Sequence, residues 1–120
     1  MSDYKPNLTE GQLKRQVGDY LEYGVNQGKW YADRLNSGSV LLKRGEKVYK
    51  VDLCREGTAD FFVLTMFQSW LRIPRTIFLE LKSGKGKQRP EQGAFQKLVE
   101  AQGAEYHLIR SIEELEQVLE

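Results

Sequence analysis

Three short segments carry side chains able to do chemistry together. Gly57-Thr58-Ala59-Asp60 opens one β-rich run, Glu80-Leu81-Lys82 belongs to the next, and Gln92 falls in the first turn of the helix after it. The second run alternates, so that Phe78, Glu80 and Lys82 share one face while Ile77, Leu79 and Leu81 share the other. Carboxylates set among Phe61, Phe62, Ile77 and Leu79 cost several kcal/mol to desolvate unless a positive charge compensates them. One divalent cation compensates two at once. Asp60 and Glu80 on adjacent strands are oxygen donors for such a hard ion, with the Leu81 backbone carbonyl as a third. An ion held this way lowers the pKa of a coordinated water and neutralises charge on a phosphate oxygen, which is the chemistry of phosphodiester hydrolysis. Lys82, about 6–7 Å from Glu80 along the strand, is placed to orient that water or to stabilise the pentacoordinate phosphorus. A salt bridge from Lys82 to Glu80 or Asp60 is the competing reading.

Two further residues point the same way. At about 100° per residue, Glu10 falls in the stripe of Leu13, Val17 and Leu21, so the spacing aims a carboxylate at the core side of the first helix. An acidic residue there also suits the helix dipole. Gln92 lies one turn from Phe95 and Gln96 and two from Val99, which turns its amide toward the sheet, where it can fix Lys82 or the attacking water.

The elements that must position these groups are legible from caps and periodicity. Thr9 with Gln12 forms a capping box for a helix running to about Asn26. Strands are expected at Trp30–Leu35, Val40–Lys43 and Lys47–Val51, the last two joined through Arg44-Gly45-Glu46 as a hairpin, and at Asp60–Leu64. Met66 to Arg75 reads as an irregular surface excursion, followed by the Thr76–Lys82 strand. Pro90 suits the first position of a helix that stops at Gly103. A strand over Tyr106–Arg110 leads to Ser111 and Glu114, a second capping box, and to a final helix with Ile112, Leu115 and Leu119 inward. The expected fold class is α/β, a small mixed sheet flanked by helices.

The 120 residues, 40% hydrophobic and 29% charged, are expected to form one domain spanning 1–120, since a chain this long buries about two-thirds of its unfolded surface. Without an apolar span or a basic-then-apolar leader, a cytoplasmic location is expected and no membrane partner. One cysteine, Cys54, and one histidine, His107, exclude an internal disulfide and disfavour zinc hydrolases and Cys-His nucleophile schemes. The net charge of +1 conceals an uneven distribution. Residues 29–55 carry seven basic and three acidic side chains and 72–89 carry six and one, whereas 91–120 carry two and seven. The basic blocks suit a polyanion. Lys85, Lys87 and Arg89 on a glycine-containing loop, and Lys43, Arg44, Lys47 and Lys50 on the hairpin, are candidates to position DNA phosphates without reading sequence. Trp30, Tyr31 and Trp70 are candidates for base stacking, although aromatic residues in strands more often belong to the core.

The combination of an N-terminal helix Glu, G-x-x-D, E-x-K and a following P-E-Q helix resembles the VRR-NUC (virus-type replication-repair nuclease) family of the PD-(D/E)xK nuclease superfamily. The resemblance runs from Glu10 to the Ile112 region. It implies a restriction-endonuclease-like core and a Mg²⁺- or Mn²⁺-dependent DNA endonuclease, and small stand-alone members of phages and bacteria are similar to homodimeric Holliday-junction resolvases. By that resemblance Asp60 and Glu80 are metal ligands, Lys82 is the catalytic lysine, Gln92 an accessory catalytic residue and Glu10 a further acidic position. Ala59 stands where many members have Pro, and the 65–75 segment is long. The alternatives are a catalytically silent nuclease-like module that binds branched DNA, and a restriction-type nuclease on linear DNA. A two-fold dimer is the natural arrangement for cutting a four-way junction twice.

Overall fold

The computed structural model describes residues 8–66 and 72–120. The Thr9 hydroxyl accepts from the Gln12 N–H and the Gln12 side chain accepts from the Thr9 N–H, so the first capping box is closed. It starts α1 (Glu10–Asn26), whose four-residue apolar repeat buries Leu13, Val17 and Leu21. The chain then forms β1 (Tyr31–Arg34), β2 (Ser39–Arg44), β3 (Lys47–Asp52), β4 (Phe61–Met66), β5 (Pro74–Leu81), α2 (Pro90–Ala101), β6 (Glu105–Ile109) and α3 (Ile112–Leu119).

The main sheet has the order β1-β4-β5-β6, antiparallel except for the parallel β5–β6 pair, so the fold is mixed α/β as expected. The parallel pair needs a crossover, and α2 supplies it. Alternation along β5 gives each face its helix. Ile77, Leu79 and Leu81 join Leu13, Val17 and Leu21 of α1 and Leu115 of α3 in one core, while Phe78 meets Phe95 of α2 edge-on with ring centroids 5.2 Å apart. Each fully buried aliphatic side chain contributes about 1.5–3 kcal/mol, so the core can carry a few unfavourable buried charges near the sheet ends. Trp30 belongs to this core rather than to a stacking surface: it stacks on Tyr20 and donates its indole N–H to the Leu21 carbonyl at 2.9 Å. Gly24 lies against its ring, so closely that a Cβ there would sit 2.1 Å from Trp30 Cζ2.

The expected hairpin forms, and it forms as a sheet of its own: among the described residues β2 and β3 pair only with each other, and every residue of both strands is exposed. The register sets Val40, Leu42, Tyr49 and Val51 on one face with Arg44 and Lys47 at the turn end, and Leu41 and Val48 on the other face beside Lys43 and Lys50. The excursion is shorter than the composition suggests, because Thr65 pairs with Arg75 and Met66 with Pro74, continuing the β4–β5 ladder. Trp70 lies outside the described residues. At α3, Ser111 Oγ accepts from the Glu114 N–H, but the Glu114 carboxylate accepts from Arg110 N–H, one residue before the cap. Among the described residues no helix is long and apolar enough to cross a membrane.

Candidate active site

The four elements that matter end at one place: the first turn of α1, the loop before β4, the end of β5 and the first turn of α2. Gly57 brings two of them together. Its φ of +87° lies in the left-handed region, and a Cβ there would sit 2.3 Å from the Glu91 carbonyl oxygen. The loop leading to Asp60 can therefore rest directly on the turn that carries Gln92. Asp60 sits just before β4, with its N–H on the Leu79 carbonyl and its Oδ2 accepting the Leu81 N–H at 2.8 Å. These two bonds lock the G-x-x-D segment to the E-x-K strand.

Glu80 is 2% exposed. Gln92, itself buried, donates from Nε2 to Glu80 Oε1 at 2.9 Å and accepts the Arg89 N–H with its own Oε1, so the α2 cap and the site share one amide. Of the two expected roles for Gln92, fixing Lys82 or the attacking water, the first is corrected: its side-chain N–H goes to the Glu80 carboxylate. Glu80 Oε2 is buried with no hydrogen-bond partner among the described residues. Burial first, then the negative charge of Asp60, push the Glu80 carboxyl up to about 8, against smaller pulls downward from Lys82 and Lys14. Lys82 lies just past the end of β5, buried, with its N–H on the Ile109 carbonyl. Among the described residues its ammonium has no acidic partner within 4 Å, so the simple salt bridge does not form.

These groups line a hollow of about 370 Å³. It is smaller than the grooves beside α1 and α2, of about 490 and 500 Å³, and its lining chemistry rather than its size singles it out. Glu10 reaches the same hollow, but as an exposed rim residue rather than on the core side, because α1 is first buried at Leu13. Among the described residues no three His, Cys, Asp or Glu side chains form a metal-holding cluster. The acidic core of the hollow is thus a pair. Two carboxylates, one with a buried oxygen that has no donor among the described residues, together with the neighbouring Leu81 backbone, fit a hard divalent cation that completes its shell with water.

Lys14 was not singled out by the motifs. Its Nζ lies 3.2 Å from Asp60 Oδ1. Its signal in the sequence is the spacing of four from Glu10, which puts both on the same side of the first turns of α1. Arg89 lines the hollow and pairs with Glu91 at 3.3 Å, while Lys85 and Lys87 are exposed on the loop before it. Lys43, Arg44 and Lys47 are exposed on the hairpin, whose base at Ser37 also borders the hollow. Comparison of the chain with protein-family models and with curated proteins finds no match.

Proposed function

We propose that the chain is a Mg²⁺- or Mn²⁺-dependent endodeoxyribonuclease with a restriction-endonuclease-like core, and that its substrate is branched DNA such as a four-way junction. One observation carries this reading: the buried Glu80 oxygen without a partner, facing Asp60 and flanked by a lysine that pairs with neither. A structural carboxylate at 2% exposure would be expected to have every oxygen satisfied. Asp60, Glu80 and the Leu81 carbonyl would hold the cation, which when bound activates water and neutralises charge on the phosphate.

The chain's own residues do the rest. Gln92 clamps Glu80 Oε1 and leaves Oε2 as the open donor. The Leu81 N–H fixes the rotamer of Asp60 through Oδ2. Lys82, without an acidic partner among the described residues and shielded from bulk water, supplies a preorganised positive charge for the pentacoordinate phosphorus, and Glu10 adds a carboxylate at the rim. Lys85, Lys87 and Arg89 on one side and Lys43, Arg44 and Lys47 on the hairpin would grip the backbone, giving recognition of DNA shape rather than of sequence. Two symmetric cuts in a junction require two such sites, so the working form in this proposal is a two-fold homodimer.

The test is a cleavage panel of linear duplex, flap, four-way junction and RNA in Mg²⁺, Mn²⁺, Ca²⁺ or EDTA. Junction nicking in Mg²⁺ and Mn²⁺, absent in EDTA, is expected, and Asp60→Asn should lose about 10³-fold or more in rate while still binding the junction in Ca²⁺. Junction binding with no cleavage of any substrate by the wild type would instead identify a silent DNA-binding module. Preferential cutting of linear duplex would identify a restriction-type nuclease. Light scattering reports the dimer.

A further inference from the structure

The nuclease reading leaves Lys14 unexplained, since it holds a candidate metal ligand in an ion pair. Asp60 Oδ2 is already committed to the Leu81 N–H, so Oδ1 is the oxygen best able to turn to an ion, and that oxygen faces the Lys14 ammonium at 3.2 Å. An ammonium and a divalent cation cannot share it: they compete for the same lone pairs and repel each other. The Lys14 side chain is 29% exposed, so it has a way out. Lys14 also borders a second hollow, the groove of about 490 Å³ between α1 and β1.

That groove is polarised along its length. Arg15 and Arg34 line it with Lys14, and among the described residues neither guanidinium has an acidic partner within 4 Å. The register of β1 places Arg34 opposite Phe61, next to Asp60, so these cations gather at the end adjoining the candidate active site. Of the carboxylates, Asp19 and Glu22 lie one and two turns further along α1, while Asp33, beside Arg34, has its Oδ1 engaged by the Arg34 N–H. Such a groove suits one phosphate near the site and repels a backbone that runs on along it.

We infer that Lys14 is a displaceable counter-ion, neutralising Asp60 until a divalent cation arrives and then turning to the cationic end of the α1–β1 groove, where with Arg15 and Arg34 it binds the phosphate next to the scissile one. This rests on the nuclease reading and adds a subsite to it.

The test uses the full chain, Mn²⁺ titration followed by electron paramagnetic resonance, and fluorescence anisotropy of a synthetic four-way junction in Ca²⁺ across a salt series. Lys14→Met should bind Mn²⁺ about tenfold more tightly than wild type, and Lys14→Arg should stay near wild type. Arg15→Gln/Arg34→Gln should leave Mn²⁺ affinity unchanged, weaken junction binding about tenfold and lower the salt slope by about 1–2. Circular dichroism establishes that each variant is folded. Equal or weaker Mn²⁺ binding by Lys14→Met in a chain whose wild type binds Mn²⁺ and cuts DNA overturns the displacement alone. An unchanged salt slope in the double variant overturns the subsite. A wild type that neither binds Mn²⁺ nor cuts DNA overturns this inference together with the nuclease reading.

Discussion

Near its start β5 buries Arg75, near its end it buries Glu80, and the surroundings treat the two charges in opposite ways. Arg75 makes a two-pronged pair with Glu105, both bonds at 2.7 Å, and donates a third bond to the Val118 carbonyl at 2.9 Å. His107 adds a contact to Glu105 Oε1 at 3.1 Å. Arg75 holds the Glu105 carboxyl below the usual carboxylate range, so the pair stays ionised and ties the β5–β6 edge to α3. Among the described residues Glu80 receives one amide bond and keeps an oxygen with no donor, and its carboxyl is pushed up to about 8. Burial costs are similar in kind at both ends of the strand. At one end protein groups offset them fully; at the other one carboxylate oxygen is left without a donor among the described residues, the oxygen the proposed cation would take.

Paired substitutions can break or sharpen this contrast. The largest effect is expected for Lys82→Met, which should lower junction cleavage about 10²–10³-fold with the melting temperature little changed, measured by single-turnover kinetics and circular dichroism. Gly57→Ala should cost about 3 kcal/mol of stability, because it combines a positive φ with a collision against the Glu91 carbonyl, and chemical denaturation will measure it. Arg75→Met should cost about 2–3 kcal/mol, less than breaking a fully buried pair because the Glu105 side chain is 31% exposed, and should leave the cleavage rate per folded molecule unchanged.

The two ends should also differ in sign with pH. A carboxyl raised in the folded state stabilises most below its ordinary value of 4.5, and that stability is lost as pH rises through about 8. In EDTA the melting temperature of the wild type should therefore carry a falling component between pH 5 and pH 8 that Glu80→Gln removes. Glu105, held low, works the other way: its contribution is present above the ordinary carboxylate value and fades in acid. The smallest effect is expected for His107→Gln, under about 0.5 kcal/mol, since the ring is half-buried and makes one contact at the rim of the pair.

Much of this was legible in the chain. The Thr9 box, the Pro90 start and the alternation of Phe78 and Glu80 against Ile77 and Leu79 follow from spacings within a few residues, and the grouping of Asp60, Glu80, Lys82 and Gln92 from reading the runs that carry them as successive neighbouring elements. The rest depended on partners far apart in the chain. The spacing of Gln92 suits Lys82 or a water equally, and its choice of Glu80 depends on how α2 seats against Gly57. Lys14 carried no motif, because an ion pair across 46 positions leaves no local trace. The hairpin and its turn are legible locally, whereas its standing as a sheet apart from the main one is not.

Local rules along the chain thus settled which residues are helical or extended, which faces are apolar and which carboxylates and amines sit within one strand's reach, because caps, turns and side-chain alternation act over three or four residues. Tertiary packing decided the rest: that Asp60 meets the Leu81 amide and the Lys14 ammonium, that Glu80 keeps one oxygen without a donor among the described residues, and that Arg75 is paired with Glu105 and the Val118 carbonyl. Burial and long-range partners govern the energy of a charge, and neither exists until the layers close.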